Sequence, residues 1–178
     1  LNGDNAVFGN LLHSVCYHLA DLIVCCGDTP LMSRATFQAL AKTHLEQGNA
    51  CTMLSARLPE GGSYGRVLRE SDGSFQRIVE ARDCTPQQAA VTEVNTGTYV
   101  FHVPALLSVL QELNQDNAQG ELSLTDVPAL LKARGLRVGL CDTCSPDEML
   151  GVNTVEQLQQ VFPEKYRDMR ARGVRSFY

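Results

Sequence analysis

Long hydrophobic runs are missing from this sequence, and their absence excludes a chain embedded in the membrane. The longest apolar stretch, residues 19–26, is interrupted by Asp21 and is far shorter than the roughly 20 residues that a membrane-spanning helix requires. Disorder is excluded as well, because 44% of the 178 residues are hydrophobic and 20% are charged. This length and composition predict one folded domain with a hydrophobic core and no membrane partner.

An excess of positive charge is also absent. The formal net charge at pH 7 is −5, which argues against a protein that binds nucleic acid by neutralising phosphates. Arginines gather between residues 167 and 175, but Glu164 and Asp168 lie close to them. Such a mixture is more typical of a solvated helix face, so no nucleic-acid partner is expected.

Several motifs that identify common chemistries are lacking. No Walker A loop, HExxH pair or nucleophile elbow is present. Cys141 and Cys144 form a single CxxC motif without a second pair, so we expect neither zinc nor a stable disulfide. Residues 1–5 lack the basic and apolar regions of a secretory signal, which predicts reduced thiols and a cytoplasmic protein. The adjacent Cys25 and Cys26, at the end of an apolar run, are predicted to be core residues.

What is present is an alternation of short apolar strands with amphipathic helices, which predicts an α/β fold with a mixed, partly parallel sheet. The predicted strands cover residues 19–26, 50–56, 66–70, 75–80, 94–101 and 136–141. The predicted helices cover residues 33–48, 104–113, 125–134 and 155–172, with Ser33 as an N-cap and an interruption at Pro163. Strand 19–26 is expected to be buried in a mostly parallel sheet, and Asp72-Gly73 is expected to turn a hairpin.

Asp28 directly follows the first predicted strand. In open α/β sheets, ligands bind outside the carboxyl ends of the strands, so a carboxylate here can bind Mg²⁺ and position a phosphate. The alternative is an aspartate that forms a turn or caps a helix before Thr29-Pro30, which the local pattern by itself favours.

Asn95 and Gly97 lie within the segment Glu93-Val94-Asn95-Thr96-Gly97. The amide of Asn95 both donates and accepts hydrogen bonds, which suits a sugar, and Gly97 allows a ligand or a backbone to approach closely. The alternative is a turn at an edge strand. Gly65 could likewise face a ligand, or be an ordinary loop glycine.

Five segments, in their order and spacing, resemble a known family. They are Cys26-Gly27-Asp28-Thr29-Pro30-Leu31, then Tyr64-Gly65-Arg66-Val67 with Ile78-Val79-Glu80 and Asp83, then Glu93-Val94-Asn95-Thr96-Gly97, then Asn117-Ala118-Gln119-Gly120-Glu121 with Leu124-Thr125-Asp126, and finally Glu148-Met149-Leu150-Gly151-Val152-Asn153. The family is the uridyltransferase (pyrophosphorylase) domain of the bacterial bifunctional UDP-N-acetylglucosamine pyrophosphorylase/glucosamine-1-phosphate N-acetyltransferase. The resemblance extends over most of the chain, from residue 19 onwards.

The resemblance implies a Rossmann-like, glycosyltransferase-A-like nucleotidyltransferase fold. It implies a reaction in which UTP and N-acetylglucosamine 1-phosphate form UDP-N-acetylglucosamine, a precursor of peptidoglycan and lipopolysaccharide, and pyrophosphate. The residues that it assigns are of two kinds. Asp28 and Asn153 would hold Mg²⁺, and the substrates would be contacted by Cys26, Gly27, Gly65, Glu80 and Asn95.

The departures from the family are equally specific. The family's Gly-rich loop, whose Arg and Lys hold the triphosphate, has no counterpart here, so no catalytic residue is identified and a first strand is expected to be lacking. Residues 1–178 are therefore expected to form a partial domain that is incomplete or inactive and prone to edge-to-edge self-association. Residues 155–178 resemble the linker helix before the family's left-handed β-helix domain. The alternatives are a non-catalytic UDP-sugar-binding relic and a nucleotidyltransferase for another sugar phosphate.

Overall fold

A mixed six-stranded sheet forms the centre of the molecule in the computed structural model, which describes residues 20–113, 123–152 and 154–163. The strands run in the order β4-β3-β5-β2-β6, and β1 also pairs with β5. Their bounds are β1 Asp21–Val24, β2 Cys51–Arg57, β3 Arg66–Arg69, β4 Phe75–Val79, β5 Glu93–His102 and β6 Val138–Cys144. The predicted α/β fold is therefore confirmed.

The ten-residue strand β5 is bonded to three other strands. Along one edge it pairs antiparallel with β2, from Glu93 opposite Arg57 to Phe101 opposite Cys51. Strands β3 and β1 must therefore share the other edge, where β3 lies at Val94 and β1 begins to pair at Tyr99. Because β1, β2, β3 and β6 all run opposite to β5, their carboxyl ends meet at one edge of the sheet, beside the start of β5.

Helices cover both faces of this sheet. They are α1 Arg34–Gln47, α2 Pro86–Ala89, α3 Val103–Val109, α4 Val127–Ala133 and α5 Val155–Val161, with 3₁₀ turns at Ala81–Asp83, Leu110–Glu112, Leu124–Asp126 and Pro146–Met149. Helix α1 packs on β2 and β6, where Leu40 and Leu54 are fully buried. Helices α3 and α4 cover the opposite face, where the rings of Tyr99 and Phe101 stack 5.4 Å apart. None of the described helices has the length and apolarity to cross a membrane.

Most of the elements predicted from the sequence are confirmed, with changed bounds. The side-chain oxygen of Ser33 accepts a hydrogen bond from the Thr36 N–H and caps α1, and the hairpin of β3 and β4 turns at Asp72-Gly73. The predicted helix 104–113 is α3 followed by a 3₁₀ turn. Helix α5 ends before Pro163, and residues 164–178 lie outside the described ranges.

Two predictions about the first strand were wrong. Strand β1 is half exposed and pairs antiparallel with β5, so it is not a buried member of a mostly parallel sheet. Cys25 and Cys26 are exposed and do not belong to the core. The reason is that β1 ends at Val24, after which the chain turns at the carboxyl edge of the sheet and leaves the two thiols exposed.

Candidate functional site

The turn after β1 packs against the middle of β5. The Cys26 thiol lies 3.8 Å from the carbonyl oxygen of Gly97, to which it donates a weak hydrogen bond. Gly97 has a φ of 75°, and a Cβ placed on it would lie 2.7 Å from the Cys26 sulfur. A residue with a side chain would therefore push this turn away from the strand. The close approach predicted for Gly97 is that of the protein's own backbone turn.

Asn95 is fixed in β5 by several hydrogen bonds. Its side chain is 8% exposed; Nδ2 donates to the Tyr99 hydroxyl at 2.8 Å, and Oδ1 accepts from the Gly97 N–H at 3.2 Å. Its own N–H donates to the Gly65 carbonyl oxygen at 2.8 Å. Because β5 is continuous and lies inside the sheet, the alternative of an edge-strand turn is wrong. Because Oδ1 also accepts a hydrogen bond from the Tyr99 hydroxyl at 3.1 Å, only one amide proton of Asn95 remains for a ligand.

Gly65 and Glu80 lie side by side. A Cβ placed on Gly65 would lie 2.9 Å from Cγ2 of Ile78 and 3.4 Å from a carboxylate oxygen of Glu80, so this buried position is closed to larger residues. The other carboxylate oxygen of Glu80 accepts a hydrogen bond from Thr125 Oγ1 at 3.0 Å. Burial raises the pKa of the nearby Asp126, and the charge of Glu80 raises it further.

These contacts form one continuous row, which we call the β5 row: Cys26, Gly97, Asn95, Gly65 and Glu80. Cys26, Gly97, Asn95 and Gly65 are joined in turn by hydrogen bonds, and Gly65 lies beside Glu80, although Cys26 and Glu80 are far apart in the sequence. The sequence motifs named all five residues but did not assign a role to Thr125, which orients Glu80. The signal that could have found Thr125 was its place in the segment Leu124-Thr125-Asp126.

Asp28 lies at the end of this row that is nearest to β1. It is exposed and lies in a turn, as one of the predicted alternatives has it, but it does not cap α1, whose N-cap is Ser33. Within the described residues its carboxylate makes no hydrogen bond. Its carbonyl oxygen accepts a hydrogen bond from the Val152 N–H at 2.7 Å. Gly27 is exposed, with open space around its Cα.

Asn153, the second predicted Mg²⁺ ligand, lies outside the described residues, although its neighbour Val152 contacts Asp28. Across the described ranges, no three His, Cys, Asp or Glu residues form a cluster that could hold a metal ion. A free carboxylate nevertheless fits Mg²⁺, which usually binds one or two carboxylates together with phosphate and water. Partial burial raises the pKa of the Cys26 thiol, and the charge of Asp28 raises it further.

The CxxC motif lies apart from the β5 row. Cys141 and Cys144 are buried in β6 as free thiols. Burial, together with Glu148 and Cys141, raises the pKa of Cys144 to about 11, so the thiolate that binds metals or attacks disulfides is disfavoured at neutral pH.

Comparison with solved structures identifies the class of the fold. A structure described as a putative glucose-1-phosphate thymidylyltransferase from Bacillus anthracis, in complex with sucrose, aligns with a TM-score of 0.58 and 19% sequence identity. The alignment covers 78% of this chain and 52% of that one. At this identity the likeness shows the fold alone, which is a Rossmann-like α/β fold.

Comparison with curated sequences identifies the family, as the sequence motifs predicted. The chain is 44% identical to the bifunctional protein GlmU of Lactobacillus gasseri over 131 residues, which are 74% of this chain and 28% of that protein. The GlmU proteins of Streptomyces griseus and Bacillus velezensis are 44% and 42% identical, over 78% of this chain and 29% and 30% of their own lengths. No protein-family model matches. The chain belongs to the GlmU family and spans about 30% of the length of these relatives.

Proposed function

We propose that this chain is part of a uridylyltransferase domain that acts on UTP and N-acetylglucosamine 1-phosphate and forms UDP-N-acetylglucosamine and pyrophosphate. The observation that carries the proposal is the β5 row, because it joins four residues that the family resemblance assigns to substrates: Cys26, Gly65, Glu80 and Asn95. The relationship to the GlmU proteins supports the same assignment.

The two polar side chains of the row have separate tasks in this proposal. The carboxylate of Glu80, oriented by Thr125, accepts hydrogen bonds from sugar hydroxyls. The amide of Asn95, held by Tyr99 and Gly97, offers its remaining amide proton to the carbonyl oxygen of the N-acetyl group. Because both side chains are fixed before a ligand arrives, little conformational entropy is lost on binding.

Asp28 would hold Mg²⁺ in this proposal, together with Asn153. The ion, when bound, would neutralise charge on the phosphates. The protein's own contribution is to hold the sugar phosphate in line with the α-phosphorus, since phosphoryl transfer depends on positioning and charge neutralisation more than on covalent help. These 178 residues contain no Gly-rich loop with Arg and Lys. We therefore propose that the chain binds UDP-N-acetylglucosamine but turns over slowly.

The test is calorimetric binding of UDP-N-acetylglucosamine with Mg²⁺ present. We expect Glu80→Gln to weaken binding about tenfold or more, because a charge-assisted hydrogen bond contributes roughly 1.5–3 kcal/mol. The matched control is Glu46→Gln, on the exposed face of α1, which removes the same charge away from the row. The proposal fails if the unaltered chain does not bind, or if the two variants bind equally well.

A turnover assay separates the remaining alternatives. Pyrophosphate release is measured with UTP and N-acetylglucosamine 1-phosphate, and then with other sugar 1-phosphates. Binding without turnover of any substrate would support a non-catalytic UDP-sugar-binding protein. Turnover of another sugar phosphate alone would replace the substrate in the proposal.

A further inference from the structure

The carboxylate of Glu148 connects the segment that follows β6, residues 145–152, to the start of α1. One oxygen of Glu148 accepts hydrogen bonds from the Ser33 N–H at 2.8 Å and from Thr36 Oγ1 at 2.6 Å. Its other oxygen accepts a hydrogen bond from the Ser145 N–H at 3.0 Å. Glu148 therefore joins residues 145–152 to the first turn of α1.

This carboxylate is ionised at all physiological pH values. Its partial burial opposes ionisation, but the hydrogen bonds from Thr36, Ser145 and Ser33 outweigh that effect and lower its pKa to about 2. The negative charge also lies at the amino end of a 14-residue helix, where the aligned peptide dipoles stabilise an anion. The contacts of Glu148 are thus stronger than those of an ordinary surface glutamate.

Residues 145–152 also contact both ends of the candidate site. Met149 is 3% exposed, and its carbonyl oxygen accepts a hydrogen bond from the hydroxyl of Tyr64, the residue before Gly65. Three residues further along, the Val152 N–H bonds the carbonyl oxygen of Asp28. The segment therefore bridges the loop before β3 and the turn after β1, with Glu148 beside its buried centre.

We propose that Glu148 is a positioning residue for the metal-binding turn at Asp28, a role that rests on the function proposed above. Within the described residues the Asp28 carboxylate makes no hydrogen bond, so its place depends on the backbone that carries it. That backbone is bonded to Val152, whose own place follows from the anchor at Glu148. Glu148 does not act on the metal site directly through its charge, because its two carboxylate oxygens are already occupied by three donors.

The experiment measures two affinities on the full chain. The first is the affinity for Mn²⁺, an EPR-active substitute for Mg²⁺, with saturating UDP-N-acetylglucosamine. The second is the affinity for UDP-N-acetylglucosamine with EDTA present. The variants are Glu148→Gln, Thr36→Val and the pair combined, and Asp147→Asn is the control because it removes a neighbouring exposed charge.

We expect Glu148→Gln to weaken Mn²⁺ binding about tenfold, as is common when a group that orients a metal ligand is lost. The metal-free affinity for UDP-N-acetylglucosamine stays unchanged, and so do both affinities of the control. Adding Thr36→Val to Glu148→Gln costs less than Thr36→Val costs on its own, because the two variants break the same hydrogen bond.

Each other outcome overturns a specific claim. An equal loss of both affinities would give Glu148 a general structural role, and unchanged Mn²⁺ binding would give it none at the metal site; either result rejects the positioning role. If Glu148→Gln does not fold, Thr36→Val alone decides between these outcomes. If the unaltered chain shows no Mn²⁺-dependent binding, the proposed function itself fails.

Discussion

At the scale of single residues, Gly97 shows how closely the turn after β1 approaches β5. Its φ of 75° lies in the left-handed region, and the Cys26 sulfur occupies the space next to its Cα. A substitution at this position therefore meets two separate costs, one in the backbone and one in the contact with Cys26. A second glycine in the chain, Gly73, meets the first cost alone, since its φ is 84° and no heavy atom would lie within 4 Å of its Cβ.

We expect Gly97→Ala to lower the free energy of unfolding by more than the roughly 1–2 kcal/mol that a left-handed residue costs. The excess comes from the displacement of Cys26. Urea unfolding of Gly97→Ala and Gly73→Ala, compared side by side, measures it. Equal losses in the two variants would show that the turn yields to the added methyl group at no cost.

Asp28 is expected to behave in the opposite way, with a large effect on binding and a small one on stability. Its carboxylate is exposed and makes no hydrogen bond within the described residues, so Asp28→Asn should change the free energy of unfolding by no more than about 0.5 kcal/mol. The increase in UDP-N-acetylglucosamine affinity that Mg²⁺ produces is expected to disappear. Calorimetry with and without Mg²⁺ measures it, with Glu46→Gln as the control. An Mg²⁺ effect that survives in Asp28→Asn would remove Asp28 from the metal site.

Sequence reasoning about residues succeeded where a motif could be matched and failed where an environment had to be inferred. The motifs named Gly65, Glu80 and Asn95, but nothing in their spacing places them side by side, because that depends on the pairing of β3 with β5. Cys26 was predicted to be buried because its neighbours are apolar. Cys26 is exposed because β1 ends before it, at Val24, and an apolar run in the sequence does not show where a strand ends.

At the scale of single elements, α1 depends on the residue that precedes it. Ser33 accepts a hydrogen bond from the Thr36 N–H through its side chain, while its own N–H donates to Glu148. The cap and the anchor of residues 145–152 therefore share one residue, but they use different atoms of it. A change of the Ser33 side chain removes the first contact and leaves the second.

We expect Ser33→Ala to lower the free energy of unfolding by about 1 kcal/mol, the usual cost of removing an N-cap oxygen. Ser33→Thr retains the oxygen and is expected to cost less. Thermal and urea unfolding of the two variants measure the difference. Equal stability of Ser33→Ala and the unaltered chain would mean that Glu148 alone fixes the start of α1.

The types of the elements were easier to predict than their bounds. Strand β6 was predicted at 136–141 and observed at Val138–Cys144, because pairing with β2 carries the polar residues Asp142 and Thr143 into the strand. The pattern of apolar and polar residues does not predict this extension of the strand, since Asp142 and Thr143 point away from the core and remain exposed. The antiparallel pairing of β1 was also unpredictable, because it joins residues that are distant in the sequence.

At the scale of the whole molecule, carboxylates with shifted pKa values link folding to pH. Glu93 is 3% exposed and joins β2, β3 and β5, because its carboxylate accepts hydrogen bonds from the Ser55 hydroxyl at 2.7 Å and from Nε and Nη2 of Arg69. Burial alone would raise its pKa, but these partners lower it. Glu148 has a lowered pKa for a related reason. The pKa of Asp126 is raised, so its protonation stabilises the fold as the pH falls, opposite to the effect of Glu93 and Glu148.

The sign of the pH dependence follows from these shifts. A carboxylate whose pKa is lower in the folded state stabilises the fold above its unfolded pKa, and that stabilisation is lost as the pH falls. We therefore expect the free energy of unfolding to decline from about pH 4.5 down to about pH 2. Urea unfolding across this range measures the decline.

Glu93→Gln separates the contribution of Glu93 from that of Glu148. It is expected to lower stability at neutral pH by about 3 kcal/mol, because Arg69 loses its charged partner, and to make the acid decline shallower. Glu46→Gln, on the surface of α1, is expected to change neither. An unaltered acid decline in Glu93→Gln would show that other carboxylates control it.

Edge-to-edge self-association stays a prediction, which light scattering over a range of concentrations tests.

The dependence of three strands on β5 has a consequence for synthesis of the chain. Asp21 of β1 pairs with His102, 81 residues later, and β2 finds its two partners in β5 and β6, both made after it. At about 5–20 residues per second, roughly 4–16 s pass between the release of β1 and the release of the end of β5 from the ribosome. During that interval β1 and β2 expose unpaired N–H and C=O groups to other nascent chains. Slow codons before His102 would therefore lengthen the time for which β1 stays unpaired, and β2 stays partly unpaired until β6 has been made as well.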